Sequence, residues 1–467
     1  MDSGLLQALQ DAAGADNVLT DPQACERLSA DALGIFRLFR RAALLESARA
    51  DVVVMARDTQ QVAAVLCVAN AHGVPVVPVG GATGVMGAIV PLRGGIALDM
   101  RQLNQVMEVS AEDGTVRVQP GVLLADLERE LNTHGLMLGH DPWSLSIATV
   151  GGAIGTDGVG YLAARYGSMG EQVAALEVVI PTGEVVRTKP LRKPASGPNL
   201  NALFIGAEGT LGIITEATLW VFRLPERRAF STVGFASFEE GFKATVELFH
   251  LGLRPALTDL TEEETRHPSP PCTLYMAFEG FQEEVEAQQG RALKVCAGYA
   301  GADLGPEGTR AYWEDRHAIA ESWRKNVQPL PPRQRWASGS QRPFDYLHLS
   351  LPLSRVLEYR RKVQEVAGRH RVRIRETAVW THPGLFSVLL AHPRPESKAS
   401  VAEMEGAVDE ALTLAQEMGG AMEYCHGVGL KLAHLAEREW GSSLEVVRRI
   451  KRALDPNDIL NPGKLGM

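Results

Sequence analysis

Pro78-Val79-Gly80-Gly81-Ala82-Thr83-Gly84-Val85-Met86-Gly87 decides how the rest of this 467-residue chain is read. The stretch directly follows an apolar run, Val74-Pro75-Val76-Val77, that reads as a short buried strand. A strand opening into glycines can turn several backbone N–H groups toward one point, and the missing Cβ atoms let a phosphate come close. The spacing is not the GxGxxG of a nicotinamide-type βαβ unit, and no amphipathic helix follows, since Pro91 and Gly94-Gly95 come next. Taken alone, the loop is as compatible with an ordinary glycine-rich turn as with a phosphate cradle.

Upstream, Val52-Val53-Val54-Met55 reads as a strand. Asp58 with Gln61 resembles a capping box that opens a helix through Val62, Val65, Leu66 and Ala69, ending near Gly73. The glycine loop therefore closes a β-α-β start. Residues 1 to about 46 read as helical, with apolar and basic residues mixed through Phe36-Arg37-Leu38-Phe39-Arg40-Arg41. Downstream, Ile96 to Asp99 and the alternating Thr115 to Gln119 supply strands, Pro120-Gly121 breaks them, and a helix carries Leu124, Leu127 and Leu131 on one face. From His140 to Gly170 small residues and turn-formers dominate, as suits backbone lying along an extended cofactor. Glu177 to Ile180 and Val185-Val186 form a hairpin around Pro181-Thr182-Gly183, and Gly206 to Gly212 leads into a β-rich run from Ile213 to Phe222. The character changes near Leu224, and Pro268 to Pro271 and Pro329 to Pro332 read as loops.

A net charge of −9 argues against a general nucleic-acid binder. The five cysteines, at 25, 67, 272, 296 and 425, form no CxxC pair and suit free thiols. Met1 to Gly4 lacks the basic and apolar regions of a leader, and no apolar stretch is long enough to span a bilayer. A cytoplasmic location with no transmembrane segment is expected.

Four glycine-rich stretches in order resemble the PCMH-type, or vanillyl-alcohol oxidase, superfamily of flavin-binding oxidoreductases, and within it the glycolate oxidase flavoprotein subunit, D-lactate dehydrogenases and alkyl-dihydroxyacetone-phosphate synthase. They are Pro78 to Gly84, Pro142 to Gly158, Ser196-Gly197-Pro198-Asn199 with Glu208 to Glu216, and the closing Asp455-Pro456-Asn457 with Asn461-Pro462-Gly463-Lys464. The resemblance implies an α+β fold: a PCMH-type FAD-binding domain of two α/β subdomains over residues 46–224, after an N-terminal helical segment over 1–45. A cap over 225–418, with an antiparallel sheet and flanking helices, and a segment over 419–467 that returns to the flavin would complete it. It further implies FAD contacts from Pro78, Val79, Gly80, Gly81, Ala82, Thr83 and Gly84, from Pro142, Ser144, Ser146, Ala148, Thr149, Gly151, Gly152, Gly155 and Thr156, and from Glu208, Gly209, Gly212, Ile213, Ile214 and Asn461. The first loop holds no Lys or Arg, so pyrophosphate there would meet main-chain dipoles. It also holds no His or Cys, so non-covalent FAD is expected.

A flavin performs the redox step while the protein positions substrate and handles a proton. The resemblance marks Arg316, in Tyr312-Trp313-Glu314-Asp315-Arg316, as an anion clamp, a role suited to a guanidinium. It marks His426, in Cys425-His426-Gly427-Val428-Gly429, as the base, with Tyr424 beside it as an orienting group. His382 is a further candidate. The dehydrogenases carry His-x-Gly-Asp-Gly-Asn-x-His there, which helps bind a metal, whereas this chain reads His382-Pro383-Gly384-Leu385-Phe386-Ser387-Val388-Leu389. One histidine cannot hold a divalent metal alone, and none is expected. The expected function is FAD-dependent oxidation of a small anionic 2-hydroxy acid or related alcohol. A synthase-like non-redox flavoenzyme and a flavoprotein subunit that needs a partner are the alternatives, with a homodimer or an electron-acceptor partner left open.

Overall fold

The structure is a computed structural model that describes residues 2–33, 37, 48–264, 272–335 and 342–467. The N-terminal segment is helical only in part. Ser3–Ala13 forms a helix that stops at Gly14, whose φ of 88° few side chains tolerate. Val18–Leu19 (β1) then pairs antiparallel with Val52–Met55 (β2), and Pro22–Arg27 is a second short helix. Of the expected helical stretch at Phe36 to Arg41, all but Arg37 lies outside the described residues.

From β2 the chain passes through the helix Thr59–His72 to Val76–Val79 (β3). Asp58 accepts the Gln61 N–H at 2.7 Å to start that helix, and Gly73 in the left-handed region ends it. Ile96–Asp99 (β4) lies parallel between β2 and β3, giving the order β1-β2-β4-β3. Val52, Val53 and Val54 are all fully buried, because both sheet faces are covered. The glycine loop leaves the C-terminal end of β3, where open α/β sheets present ligand crevices.

A second sheet takes Val106–Ser110 (β5) and Thr115–Val118 (β6). Leu136–Met137 (β7) stands apart, and Val173–Val179 (β8), Val185–Arg187 (β9) and Ile213–Trp220 (β10) complete the sheet in the antiparallel order β5-β6-β10-β8-β9. Phe222–Arg223 (β11) pairs with β7. Leu124, Leu127 and Leu131 of the helix Leu124–Thr133 are fully buried in this sheet's core. The low-bulk stretch is not extended throughout, since Val150–Thr156 is helical behind the Thr149 cap.

Beyond Arg223 the chain builds a third, fully antiparallel sheet. It comprises Arg227–Phe235 (β12), Leu257–Glu263 (β13), Cys272–Gly280 (β14), Ala302–Asp303 (β15), Phe344–Ser350 (β16), Arg373–Trp380 (β17) and Leu385–Ala391 (β18), in the order β15-β12-β14-β13-β17-β18-β16. One face carries Phe235, Leu260, Leu274, Val379, Phe386, Val388, Leu347 and Leu349, packed with helix residues such as Phe238, Tyr359 and Met404. Strand register puts a different set on the other face: Tyr275–Asp259–Trp380 in one row, and Thr273–Thr261–Ala378–Ser387–His348 in the next. The architecture is α+β, and the ring of His426 from the C-terminal segment packs 4.7 Å from that of His348 on this polar, aromatic face.

The C-terminal end returns to the first sheet rather than only to the ligand cleft. Leu460 bridges Val76 in parallel, and Asp455 accepts N–H bonds from Ile459 and Leu460. Among the described residues no helix is long and apolar enough to cross a membrane.

Candidate active site

A cleft between the first two sheets is lined by Pro78, Gly80, Gly81, Ala82, Thr83 and Gly84, then by Pro142, Ser144, Ala148, Thr149, Gly151, Gly152, Gly155 and Thr156, and by Glu208, Gly209, Gly212, Ile213 and Ile214. Those nineteen came from separate stretches of sequence. Three expected residues do not line it. Val79 is fully buried and packs with Cys25 and Val53, because alternation along β3 turns it to the core. Ser146 is not on the wall. Asn461 stands behind it, donating from Nδ2 to Ala88 O at 2.9 Å and Glu208 O at 2.7 Å.

The glycines are there for closeness. A Cβ on Gly80 would lie 2.4 Å from Thr149 Oγ1, and one on Gly81 would lie 2.3 Å from Ile147 O, so the two loops touch backbone to backbone. Gly81 N–H donates to Thr149 Oγ1 at 3.3 Å. A Cβ on Gly155 would meet nothing within 4 Å, so that glycine leaves open space in the cleft. Among the described residues no Lys or Arg lines the wall, and His140 does so with its Nδ1 buried and unpartnered. A long, doubly phosphorylated ligand fits such a donor set through main-chain N–H groups. Asp31 also lines the cleft and was not legible from sequence. It accepts N–H bonds from Leu33 and Gly87, and burial lifts its carboxyl to about 6.

Glu208 joins the cleft wall to the C-terminal loop. Its backbone sits at a φ of 50°, and its carboxylate accepts N–H from Val428 at 2.6 Å and from Gly429 at 2.9 Å. A Cβ at position 427 would lie 2.4 Å from Glu208 Oε1, so only glycine fits there. Burial lifts Glu208 to about 7, against those backbone donors. An acid whose folded-state pKa is raised contributes stability that is full below its unfolded value and lost as pH rises through the folded one. The protein freed of ligand should therefore lose thermal stability between about pH 4.5 and 7, and Glu208→Gln should flatten that slope. Calorimetry across that window checks it, and an unaltered slope in the variant contradicts it.

His426 reaches the cleft together with Cys425. Glu423 Oε1 accepts the backbone N–H groups of Tyr424, Cys425 and His426 at 3.1, 2.8 and 3.1 Å and stands 3.5 Å from His426 Nδ1. Burial works against a charged ring, yet the Cys425 sulfur and the Glu423 carboxylate outweigh it and bring His426 up to about 10. These surroundings favour the protonated ring over the neutral one.

Tyr424 does not line the cleft. Its hydroxyl lies 2.9 Å from Ser387 Oγ and 3.4 Å from His348 Nδ1, while Ser387 Oγ lies 2.8 Å from the same nitrogen. The His348 and His426 ring centroids are 4.7 Å apart. Arg316 is spent on structure. Its Nε bonds Asp141 at 2.8 Å, its Nη1 donates to Trp313 O at 2.6 Å, and its guanidinium lies 3.8 Å from the Trp313 ring centre. His317 takes the other Asp141 oxygen at 2.8 Å. Asp141 is desolvated, but His317 and Arg316 hold its carboxyl below the usual range. His382 is also removed from the cleft. Thr381, at a φ of 57°, turns the chain, leaving Trp380 on the polar face and His382 edge-on to Phe249 at 5.3 Å. Among the described residues no three His, Cys, Asp or Glu side chains group as a metal site.

Sequence reasoning missed His348, Ser387, Trp380, Asp259 and Tyr161. Asp259 accepts from Tyr312, Trp380 and Thr261, and the Tyr161 ring packs tilted against Trp380 with centroids 5.3 Å apart. The alternation Phe344-Asp345-Tyr346-Leu347-His348 shows that Tyr346 and His348 share a face, but not which face.

Residues 50–189 match a family model described as FAD binding domain, and residues 224–465 match one described as FAD linked oxidases, C-terminal domain. The chain belongs to the PCMH-type FAD-linked oxidoreductases. Its cofactor is FAD. Among relatives of this PCMH-type chain, a mitochondrial D-lactate dehydrogenase (cytochrome) of Arabidopsis thaliana is 30% identical over 435 residues, which is 89% of this chain and 73% of that one. The glycolate oxidase subunit GlcD of Bacillus subtilis is 28% identical over 433 residues, covering 89% and 88%. A solved alkyldihydroxyacetonephosphate synthase overlays with a TM-score of 0.79 at 20% identity, covering 99% of this chain and 86% of that one, a likeness of fold.

Proposed function

We propose that this protein oxidises a small 2-hydroxy acid or a closely related alcohol, with FAD held non-covalently in the glycine-walled cleft. The observation that carries the reading is His426, which lines the cleft, stands ring to ring with His348 on the polar face of the third sheet, and sits in surroundings that favour its charged form. A fixed positive charge there suits the carboxylate of a small hydroxy acid. The PCMH-type relatives named for D-lactate and glycolate agree with that substrate class. Bound FAD supplies the electron acceptor for the C–H hydrogen. The Glu423 and Glu208 carboxylates hold the loop that orients His426. Arg316 shapes this wall through Asp141. Free cysteines at all five positions suit a reducing compartment, the cytoplasm among them.

The FAD-loaded protein, kept anaerobic, should bleach on addition of at least one member of a panel of D- and L-2-hydroxy acids. A panel that leaves the flavin oxidised rejects the reading. The relative named as a subunit favours a second arrangement, in which bleaching awaits a partner protein. Alkyl-for-acyl exchange on an acylated triose phosphate without bleaching would instead mark the synthase-like activity.

A further inference from the structure

We propose that His348 is the proton acceptor for the substrate hydroxyl, with Ser387 and Tyr424 fixing its ring and His426 beside it. The inference rests on the oxidative reading above and deepens it. In the balanced step the C–H hydrogen leaves the hydroxy acid with its electron pair for bound FAD, the oxidant. The O–H proton goes to His348 Nε2, and a keto acid and an imidazolium remain.

Three observations carry it. First, register places His348 on the polar face of the third sheet, opposite Ser387 on β18, although most of its strand neighbours are apolar. Second, among the described residues only one end of its ring is occupied. Ser387 Oγ and Tyr424 OH both lie against Nδ1, and no described residue bonds Nε2. A histidine kept only to fill the core would have both nitrogens satisfied or be replaced by an apolar side chain. A ring fixed at Nδ1 with no described partner at Nε2 is instead arranged as in a general base oriented by a partner. Third, its ring stands 4.7 Å from that of His426 at an interplanar angle of 67°, in edge-on contact with a residue that lines the cleft.

The surroundings divide the labour between them. The charged or titratable groups facing His348 are His426 and Tyr424 from the C-terminal loop, Lys431 beyond it, Arg37 from the N-terminal segment and Tyr346 on its own strand. Burial first, and then the His426, Arg37 and Lys431 charges, push His348 well below its ordinary value. His348 is therefore neutral where His426 is charged, and two neighbouring groups driven apart in this way take separate acid and base roles.

The test uses FAD-loaded His348→Asn protein in anaerobic stopped flow. Flavin content and pyruvate binding, read from the perturbed flavin spectrum, should stay within about threefold of wild type. Flavin reduction at saturating substrate should fall by about 100- to 1000-fold, the range for a lost general base. Added imidazole should restore part of the rate in His348→Gly. A purely structural histidine would lose flavin or pyruvate binding instead and show no rescue. Ser387→Ala, which loosens the ring without removing it, should slow reduction by about tenfold, and it provides the test if His348→Asn fails to fold. Wild-type bleaching with unimpaired His348→Asn or Ser387→Ala overturns this inference and leaves the oxidative reading standing. Wild-type protein that no 2-hydroxy acid bleaches overturns both.

Discussion

Gly81→Ala should yield protein that folds but retains little flavin. The new Cβ would sit 2.3 Å from Ile147 O and 3.3 Å from Ala148 Cα, and both are backbone atoms that cannot rotate away. Relief requires the Pro78–Gly84 loop to part from the 144–149 stretch, which also stretches the Gly81 N–H bond to Thr149. Overpacking of this kind costs about 1–3 kcal/mol, and where the strain falls on the bound form it weakens FAD by about 10- to 100-fold. Fluorescence titration of the ligand-free variant with FAD measures this. Gly155→Ala is the informative companion, because its Cβ enters open space in the cleft and clashes with nothing in the protein. It should leave the thermal midpoint of the ligand-free protein unchanged while still weakening FAD. Wild-type affinity in both variants would mean that FAD does not lie along this wall.

His426→Asn should keep its yellow colour and lose activity. The residue touches one end of the cleft, whereas most of the wall comes from residues 78–84, 142–156 and 208–214. Flavin content should therefore hold near wild type. The rate of flavin reduction should fall by about 100-fold or more, the usual cost of removing one preorganised charge or donor from a water-poor site. The pH profile carries the sign. His426 is protonated below about 10, so wild-type reduction should persist through neutrality and fall as pH rises through that value. The variant, already without the cation, should lack that fall. An undiminished rate, or the same alkaline limb in the variant, would remove His426 from the site.

The parts of this molecule legible in sequence are those decided by neighbours along the chain. The helix Thr59–His72, with Asp58 at one end and Gly73 at the other, follows from a cap, an apolar stripe and a left-handed stop. The glycine wall is legible because closeness of backbone admits only one residue type, at Gly81 as at Gly427. What stayed hidden depends on partners far apart in sequence. Arg316 reads as an anion clamp until Asp141, 175 residues away, takes its Nε. His382 reads as a site residue until the turn at Thr381 swings it onto Phe249. His348 passes unnoticed in a strand, since its role rests on pairing with Ser387 and on the approach of His426. Val79 errs on a smaller scale, as the whole Pro78–Gly84 run is expected on the wall and strand alternation turns Val79 to the core.

The central claim is that a main-chain wall holds FAD while a histidine cation on the Glu208-anchored loop directs a small hydroxy acid to it. Anaerobic titration of the FAD-loaded protein with the D and L forms of lactate, and with glycolate, tests it most directly. The prediction is that one of these bleaches the flavin and releases one keto acid, or glyoxylate, per flavin reduced. Flavin that stays oxidised through the whole series, with FAD firmly bound, would contradict the account.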